Sequence, residues 1–335
     1  MPRHVEIVEG WRPASSLRNP HVQSMLASIP LRRPAVKRQS QALRVRSEER
    51  ILLCRDGIRL HGMLSRHGDR PHPLVLMIHG WEGSAESLYL LSAASALFTA
   101  GFDVFRLHLR DHGPSYPLNR QLFNAGRLGE VLDAVCQVQA EEKPPAFFLA
   151  GFSMGGNFTL RVAAAAESAG LPLDGAIAVS PVLEPRSSLE ALDQGPWLYR
   201  RYFLHNWREA LRRKSRCFPD LIDWSRVEKL ETITALTEYC VEYHSEFPDL
   251  QAYLNGYAVT GDRLSDLSVP TWLIMADDDP INPAADLARL AGSERLHVVR
   301  TGYGGHCGFI DDWRFNSWVD RFLVRQFRAL LPAAL

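Results

Sequence analysis

The sequence predicts an α/β fold, a mostly parallel central sheet flanked by helices, with a helical cap inserted late in the chain. Three observations carry that expectation. Short apolar runs alternate with longer helix-like segments between residues 73 and 180. The alternation breaks over 184–266, which hold bulky aromatics and charges at helical spacing but no clear strand, and two apolar runs resume afterwards. With 335 residues and 46% apolar composition, the chain can bury a core of that size.

Residues 1–45 are rich in Pro, Arg and Ser and are expected to form an arm on the main domain, with "LRRPAVKRQSQ" as a solvated connector. In "RVRSEERILLCRDGIRLHGMLSR" two β-type runs flank Asp56-Gly57, a hairpin signal that puts antiparallel strands first. The series continues with "PLVLMIH" (73–79), a helix near 86–100, "FDVFRLH" (102–108), a helix near 121–140, "AFFLAG" (146–151), a helix over 154–168 and "DGAIAVS" (174–180). Strands resume with "VPTWLIMA" (269–276) and "LHVVRT" (296–301), and "DDWRFNSWVDRFLVRQF" closes the chain as a helix. The expected organisation is therefore an arm (1–45), a core in two pieces (46–183 and 267–335) and a cap (184–266).

Composition narrows the function. Basic and acidic residues balance at 38 each, so no global charge points to nucleic acid, and a small or neutral partner is expected. The five cysteines, Cys54, Cys136, Cys217, Cys240 and Cys307, are scattered and lack metal or redox spacing. The opening residues "MPRHVEIVEGWRP" lack the apolar core of a signal peptide, and no run is long enough for a membrane span. A cytoplasmic protein is expected. "LYLLSAASALFTAGF" reads as a buried helix. No nucleotide-binding fingerprint follows any strand, and no cofactor is called for.

The stretch "FFLAGFSMGGNFTL" places Ser153 between glycines where an apolar strand stops and a helix begins, the pattern of a nucleophile elbow. A serine hydroxyl is a weak nucleophile at neutral pH and needs a base, a group to orient that base, and donors for the developing oxyanion. The acid is sought after a late strand, in "LIMADDDPINP"; Asp279, before Pro280, is the choice, with Asp277 and Asp278 as alternatives and one of the three available to cap the helix near Pro283. The base is His306 in the glycine-flanked loop "TGYGGHCGF". Met154, directly after the serine, supplies one oxyanion amide; Trp81, after the strand ending at His79-Gly80, supplies the other. A metal at His79 with His61, His67 and His72 is disfavoured, because the latter three are read as lying in a polar connector without ligand spacing. Cys307 is read as a small loop filler.

These residues, with "RNPHVQSML" (18–26), "HGWEGS" (79–84), "RDHGPS" (110–115), "GFSMGGN" (151–157), "ADDDPINP" (276–283) and "GGHCGF" (304–309), resemble the α/β-hydrolase superfamily, over residues 45–331. Within it they are similar to the YheT-like subfamily, related to abhydrolase-domain esterases and lipases and to fungal ethanol acyltransferases. The resemblance implies Ser153, Asp279 and His306 as the triad and Trp81 and Met154 as the oxyanion-hole positions. "RDHGPS" departs from the Arg-Gly-Cys-type string of some members. The Asn19-Pro20-His21 string is read as an anchor for the arm.

The expected reaction is two-step cleavage of a carboxylic ester, with a short- to medium-chain acyl group or a lipid, through an acyl-enzyme. Transfer of the acyl group to an alcohol and thioester hydrolysis use the same intermediate; a non-catalytic binding module is the reading from another class. In the cap, Trp197, Tyr199 and Phe203 are expected to line an acyl pocket while the basic residues of 197–216 form a solvated face, and the same segment offers transient contact with a membrane surface.

Overall fold

A computed structural model describes residues 4–332, so the first three residues of the arm and the last three of the core lie outside the described residues. The chain opens with a strand, β1 (His4–Val8), and three short helices, α1 (Pro20–Leu26), α2 (Arg33–Gln39) and α3 (Gln41–Val45). The hairpin β2 (Ser47–Leu53) and β3 (Arg59–Ser65) follows, its tip held by Asp56 and Gly57, both with positive φ. Then come β4 (Leu74–Ile78), α4 (Leu88–Thr99), β5 (Asp103–His108), α5 (Leu128–Glu142), β6 (Phe147–Phe152), α6 (Met154–Ala165) and β7 (Gly175–Val179). Five helices stand between β7 and the next strand: α7 (Pro185–Gln194), α8 (Trp197–Cys217), α9 (Trp224–Val227), α10 (Ile233–His244) and α11 (Leu250–Tyr257). The chain closes with β8 (Thr271–Ala276), β9 (Leu296–Thr301) and α12 (Trp318–Ala329).

The strands form a nine-stranded sheet in the order β1-β9-β8-β7-β6-β4-β5-β3-β2. All neighbours are parallel except β2 with β3 and β3 with β5. β4, β5, β6 and β7 are buried along their whole length, as continuous apolar runs require when helices cover both faces. One face packs on α5 and α6 and the other on α4, α12 and the arm, each against its own apolar cluster. The cap has a separate core built around Leu204, Leu211, Ile233, Leu236 and Tyr239. Side-chain caps start its last two helices, Thr232 accepting from the Ala235 N–H and Asp249 from the Ala252 N–H.

The arm differs from its expectation in two ways. Residues His4–Val8 join the sheet edge, parallel to β9 from His4 opposite His297 to Val8 opposite Thr301. "LRRPAVKRQSQ" is helical and packed rather than a solvated connector. Pro30 and Pro34 sit at helix starts, where the missing N–H costs nothing and the fixed φ favours the turn. Val36 and Leu43 are buried in the cluster that includes α4, and the Arg32 guanidinium, 1% exposed, donates to Ser92 Oγ at 2.9 Å. Among the described residues no helix is long and apolar enough to cross a membrane.

Candidate active site

Ser153 follows β6 and takes the N-cap position of α6 with φ 53° and ψ −117°, a conformation that costs a non-glycine residue energy and holds the side chain above the C-terminal edge of the sheet. Its N–H donates to Val179 O at 2.9 Å. His306 Nε2 lies 2.9 Å from Ser153 Oγ, and His306 Nδ1 lies 2.9 and 3.2 Å from the two carboxylate oxygens of Asp279. An ionised carboxylate only accepts, so Nδ1 carries the proton and Nε2 is left to accept from the serine hydroxyl. The Asp279 side chain is fully buried, and its Oδ1 also accepts the N–H groups of Ile281 and Asn282. Burial disfavours the charged imidazole, but the Asp279 carboxylate outweighs it and holds the His306 pKa well above its ordinary value.

The three aspartates of "ADDDP" divide three tasks. Asp277 pairs with Arg300, Asp278 Oδ1 accepts the Gly305 N–H at 2.8 Å, and Asp279 faces the imidazole. None of them caps the helix near Pro283, whose N-cap has no side-chain bond.

Trp81 and Met154 lie beside the serine. A Cβ on Gly80 would stand 3.1 Å from Ser153 Cβ, so the loop after β4 abuts the elbow. The Met154 N–H is at the first position of α6, outside the helical ladder. The Trp81 N–H has no backbone acceptor among the described residues. The loop is held by groups on which the sequence reading placed no role. Gly80 N–H donates to Tyr89 Oη at 2.9 Å, Glu82 N–H to His112 Nε2 at 3.1 Å and Ala85 N–H to His108 Nε2 at 3.0 Å. His79 and His112 donate through Nδ1 to Gly80 O and Arg110 O, each at 2.7 Å, and His79 Nε2 accepts the Leu109 N–H.

These rings work only when neutral, because each uses Nε2 as an acceptor. Burial keeps them so, pushing His112 down to about 4; burial and then the neighbouring histidines push His108 down to about 3 and hold His79 well below its ordinary value. His61 is a correction: it is a buried residue of β3, not part of a polar connector, and its Nδ1 meets His108 Nδ1 at 2.9 Å. His67 bonds Asp103 and stacks on Phe98, apart from that cluster.

Above Ser153 and His306 lies a cavity of about 810 Å³ between sheet edge and cap. Ser153 and His306 open into it, and Trp81, Phe203, Trp207 and Ile281 are among its walls. The Trp81 ring stacks on Phe203 at 5.5 Å and meets the edge of Trp207 at 4.8 Å, so the loop that carries the Trp81 amide is packed directly against α8. A serine, imidazole and carboxylate in relay beneath an apolar chamber is an arrangement suited to acyl transfer. Residues 75–315 match the Alpha/beta hydrolase family, well over half of the chain. The chain belongs to the α/β-hydrolase family.

This α/β-hydrolase is 24% identical to human Protein ABHD15 over 272 residues, 78% of its own length and 56% of the relative's. It is 23% identical to mouse Phospholipase ABHD3 over 265 residues, 77% of its length and 64% of the relative's. The chain thus spans less than two thirds of these relatives. Among solved structures it is similar to the Pyrococcus furiosus esterase Pf2001, with TM-score 0.58 and 14% identity over 85% of this chain and 91% of that one. It is also similar to a hyperthermophilic esterase from Pyrobaculum calidifontis, with TM-score 0.53 and 20% identity over 96% and 98% of the two chains.

The cap of this α/β-hydrolase differs from its expectation at two positions. Tyr199 and Phe203 line the cavity, whereas Trp197, the first residue of α8, is 63% exposed and is not among the lining residues. The basic run of α8 is not wholly solvated. Lys214 is buried, and its Nζ donates to Asp111 at 2.6 Å and to Asn119 O at 2.5 Å, pinning the cap to the "RDHGPS" loop. Cys307 is buried beside His306, its N–H on Ser180 Oγ.

Proposed function

We propose that the protein cleaves carboxylic esters with an extended apolar acyl chain, by a serine mechanism, and that it falls in the YheT-like group of its family. The observation that supports this reading above the others is the hydrogen-bonded line Ser153, His306, Asp279 opening into the 810 Å³ apolar cavity. His306 Nε2 takes the proton of Ser153 Oγ as that oxygen attacks the ester carbonyl, and the tetrahedral oxyanion is met by the amides of Trp81 and Met154. The carbon–oxygen bond to the alcohol breaks, His306 returns the proton to the alkoxide, and the acyl group remains on Ser153. Water then enters by the same route and releases the acid. Asp279 holds the imidazole tautomer and stabilises its charged form.

A lipid ester is the favoured substrate class. The name Phospholipase ABHD3 supports it, as do Leu198 and Tyr202, half-exposed residues of α8 that also line the cavity. With Trp197 and the neighbouring Arg200 and Arg201 they form a basic, aromatic rim suited to transient contact with an anionic membrane surface. We place the protein in the cytoplasm, supported by its five free thiols.

The test is hydrolysis of a p-nitrophenyl ester series from acetate to palmitate, with Ser153→Ala alongside and ethanol as competing acceptor. Turnover that peaks beyond acetate and disappears in Ser153→Ala is expected. Ethyl ester as the main product would replace hydrolysis by acyl transfer, and preference for acyl thioesters would make it a thioesterase. A folded wild type that neither turns over nor reacts with a fluorophosphonate would sink the enzymatic reading and leave a binding module. Co-flotation with phosphatidylserine vesicles, lost in Trp197→Ala/Tyr202→Ala, tests the rim.

A further inference from the structure

We propose that α1 is a positioning element for the base: Ser24 and Gln23 set the backbone of the His306 loop, and Tyr199 ties that setting to the cap. The inference rests on the serine mechanism above. Asn19 Oδ1 accepts the N–H groups of His21 and Val22 at 2.9 and 3.2 Å, and Pro20 takes the first helical position, so the Asn-Pro-His string starts a helix where the His306 loop needs one. One turn on, Ser24 Oγ donates to Pro20 O at 2.7 Å and accepts the N–H of His306 itself at 2.8 Å. Gln23 is fully buried; its Oε1 accepts the Ile310 N–H at 2.8 Å while its Nε2 donates to Ile310 O at 2.9 Å and to Leu17 O at 2.8 Å. The loop is therefore gripped at the imidazole-bearing residue and again four residues later.

The approach is close enough to exclude side chains. A Cβ at Gly305, where φ is 51°, would stand 2.4 Å from Pro20 O, and one at Gly308 would stand 2.5 Å from Gln23 O. On its other side α1 meets the cap. His21 Nδ1 lies 3.0 Å from Tyr199 Oη. Tyr199 therefore touches α1 at His21, and one turn further along the same helix Ser24 holds the His306 N–H. Ser24 and Tyr199 also border the cavity, so a ligand that moves α8 acts on the group that holds the histidine backbone. The "RNPHVQS" string is thereby assigned to catalysis at one remove, as a set of positioning residues that touch no reacting atom.

The experiment compares wild type, Ser24→Ala, Ser24→Thr, Tyr199→Phe and Ser24→Ala/Tyr199→Phe by ester kinetics, fluorophosphonate labelling rate and thermal unfolding. Ser24→Ala should lower kcat roughly ten- to a hundred-fold with KM unchanged, the range for a misplaced catalytic group. The labelling rate should fall by the same factor, and Ser24→Thr should recover most of both. In the double variant the loss should be smaller than the product of the single losses, because both act on one path. A Ser24→Ala protein that labels and turns over at the wild-type rate, whatever its melting temperature, overturns the proposal while leaving the triad reading intact. Losses that multiply overturn the link to the cap. Should Ser24→Ala fail to fold, Tyr199→Phe, whose ring keeps its packing, carries the test: wild-type kcat and labelling there overturn it. A wild type that does not label at all removes the mechanism and this inference with it.

Discussion

Replacing Gly155 by alanine should damage stability and activity together, because the same atoms limit both. The new Cβ would stand 2.2 Å from Ile78 O, 2.4 Å from His79 O and 2.6 Å from the Ile78 carbonyl carbon. Each distance is about 1 Å or more short of ordinary contact, and each partner is backbone at the C-terminal end of β4. No side-chain rotation relieves it. The start of α6 must move from the end of β4, and those two segments carry the Met154 and Trp81 amides. Overpacking of this kind costs about 1–3 kcal/mol, and at roughly 2 °C per kcal/mol for a chain of this size the melting temperature should fall by several degrees. A displacement near 1 Å between the two proposed oxyanion donors should cost about a hundred-fold in kcat. Thermal unfolding and ester kinetics on the purified variant read both numbers. Gly129 is the internal control: a Cβ there meets nothing within 4 Å, so Gly129→Ala should gain about 0.5–1 kcal/mol and leave kcat alone. A Gly155→Ala protein with wild-type melting and kcat would refute the reasoning.

Asp279→Asn should lower kcat by about ten-thousand-fold, since an amide no longer selects the tautomer that leaves Nε2 free. Because Asp279 raises the His306 pKa, the acid limb of kcat/KM should have its midpoint above the ordinary imidazole value of about 6.5. The limb should move down in the variant, and an unmoved limb would show that another group titrates. The stability contribution of the same pair has the opposite pH sense: it is complete below the unfolded histidine pKa and lost as pH rises through the folded one, which denaturant unfolding across that range measures. Lys214→Met should cost about 3–5 kcal/mol in urea unfolding, because it leaves the buried Asp111 carboxylate without its cation; less than 1 kcal/mol would mean that water reaches Asp111. Burial, and then Asp111, pushes Glu82 from 4.5 up to about 8, so the unfolded chain loses that proton first and stability falls between those pH values. Glu82→Gln should therefore melt higher than wild type at pH 9 relative to its difference at pH 4, and equal differences at both would count against a protonated Glu82.

What the sequence disclosed about the site follows from where the constraint is local. The elbow is legible at Ser153 because a strand must stop, turn through a positive φ and restart as a helix within a few residues, and only small neighbours permit it. Asp279 and His306 are legible as loop residues after late apolar runs, and the structure brings His306 to Ser153 and Asp279 to His306. β1 was not legible: it is a single five-residue run, four of whose residues stay exposed, and its pairing with β9 is set by chain distant in sequence. The arm helices were hidden by their own prolines, which read as breakers until α4 is present to receive Val36.

The histidines were illegible for a different reason. His61, His79, His108 and His112 look unrelated along the chain, and they meet only because β3 and β5 pair with His61 opposite His108, while the ends of β4 and β5 lie side by side. Once the register is known, the "RDHGPS" string explains itself: Asp111 takes the cap lysine and His112 takes the Glu82 amide. One short loop after β5 therefore contacts the cap through Asp111 and the Trp81 loop through His112, while α1 contacts the cap through His21 and the His306 loop through Ser24. If the proposed roles hold, the cap, the Trp81 loop and the imidazole are joined by two bridges, and a substrate that shifts α8 should act on both halves of the site at once.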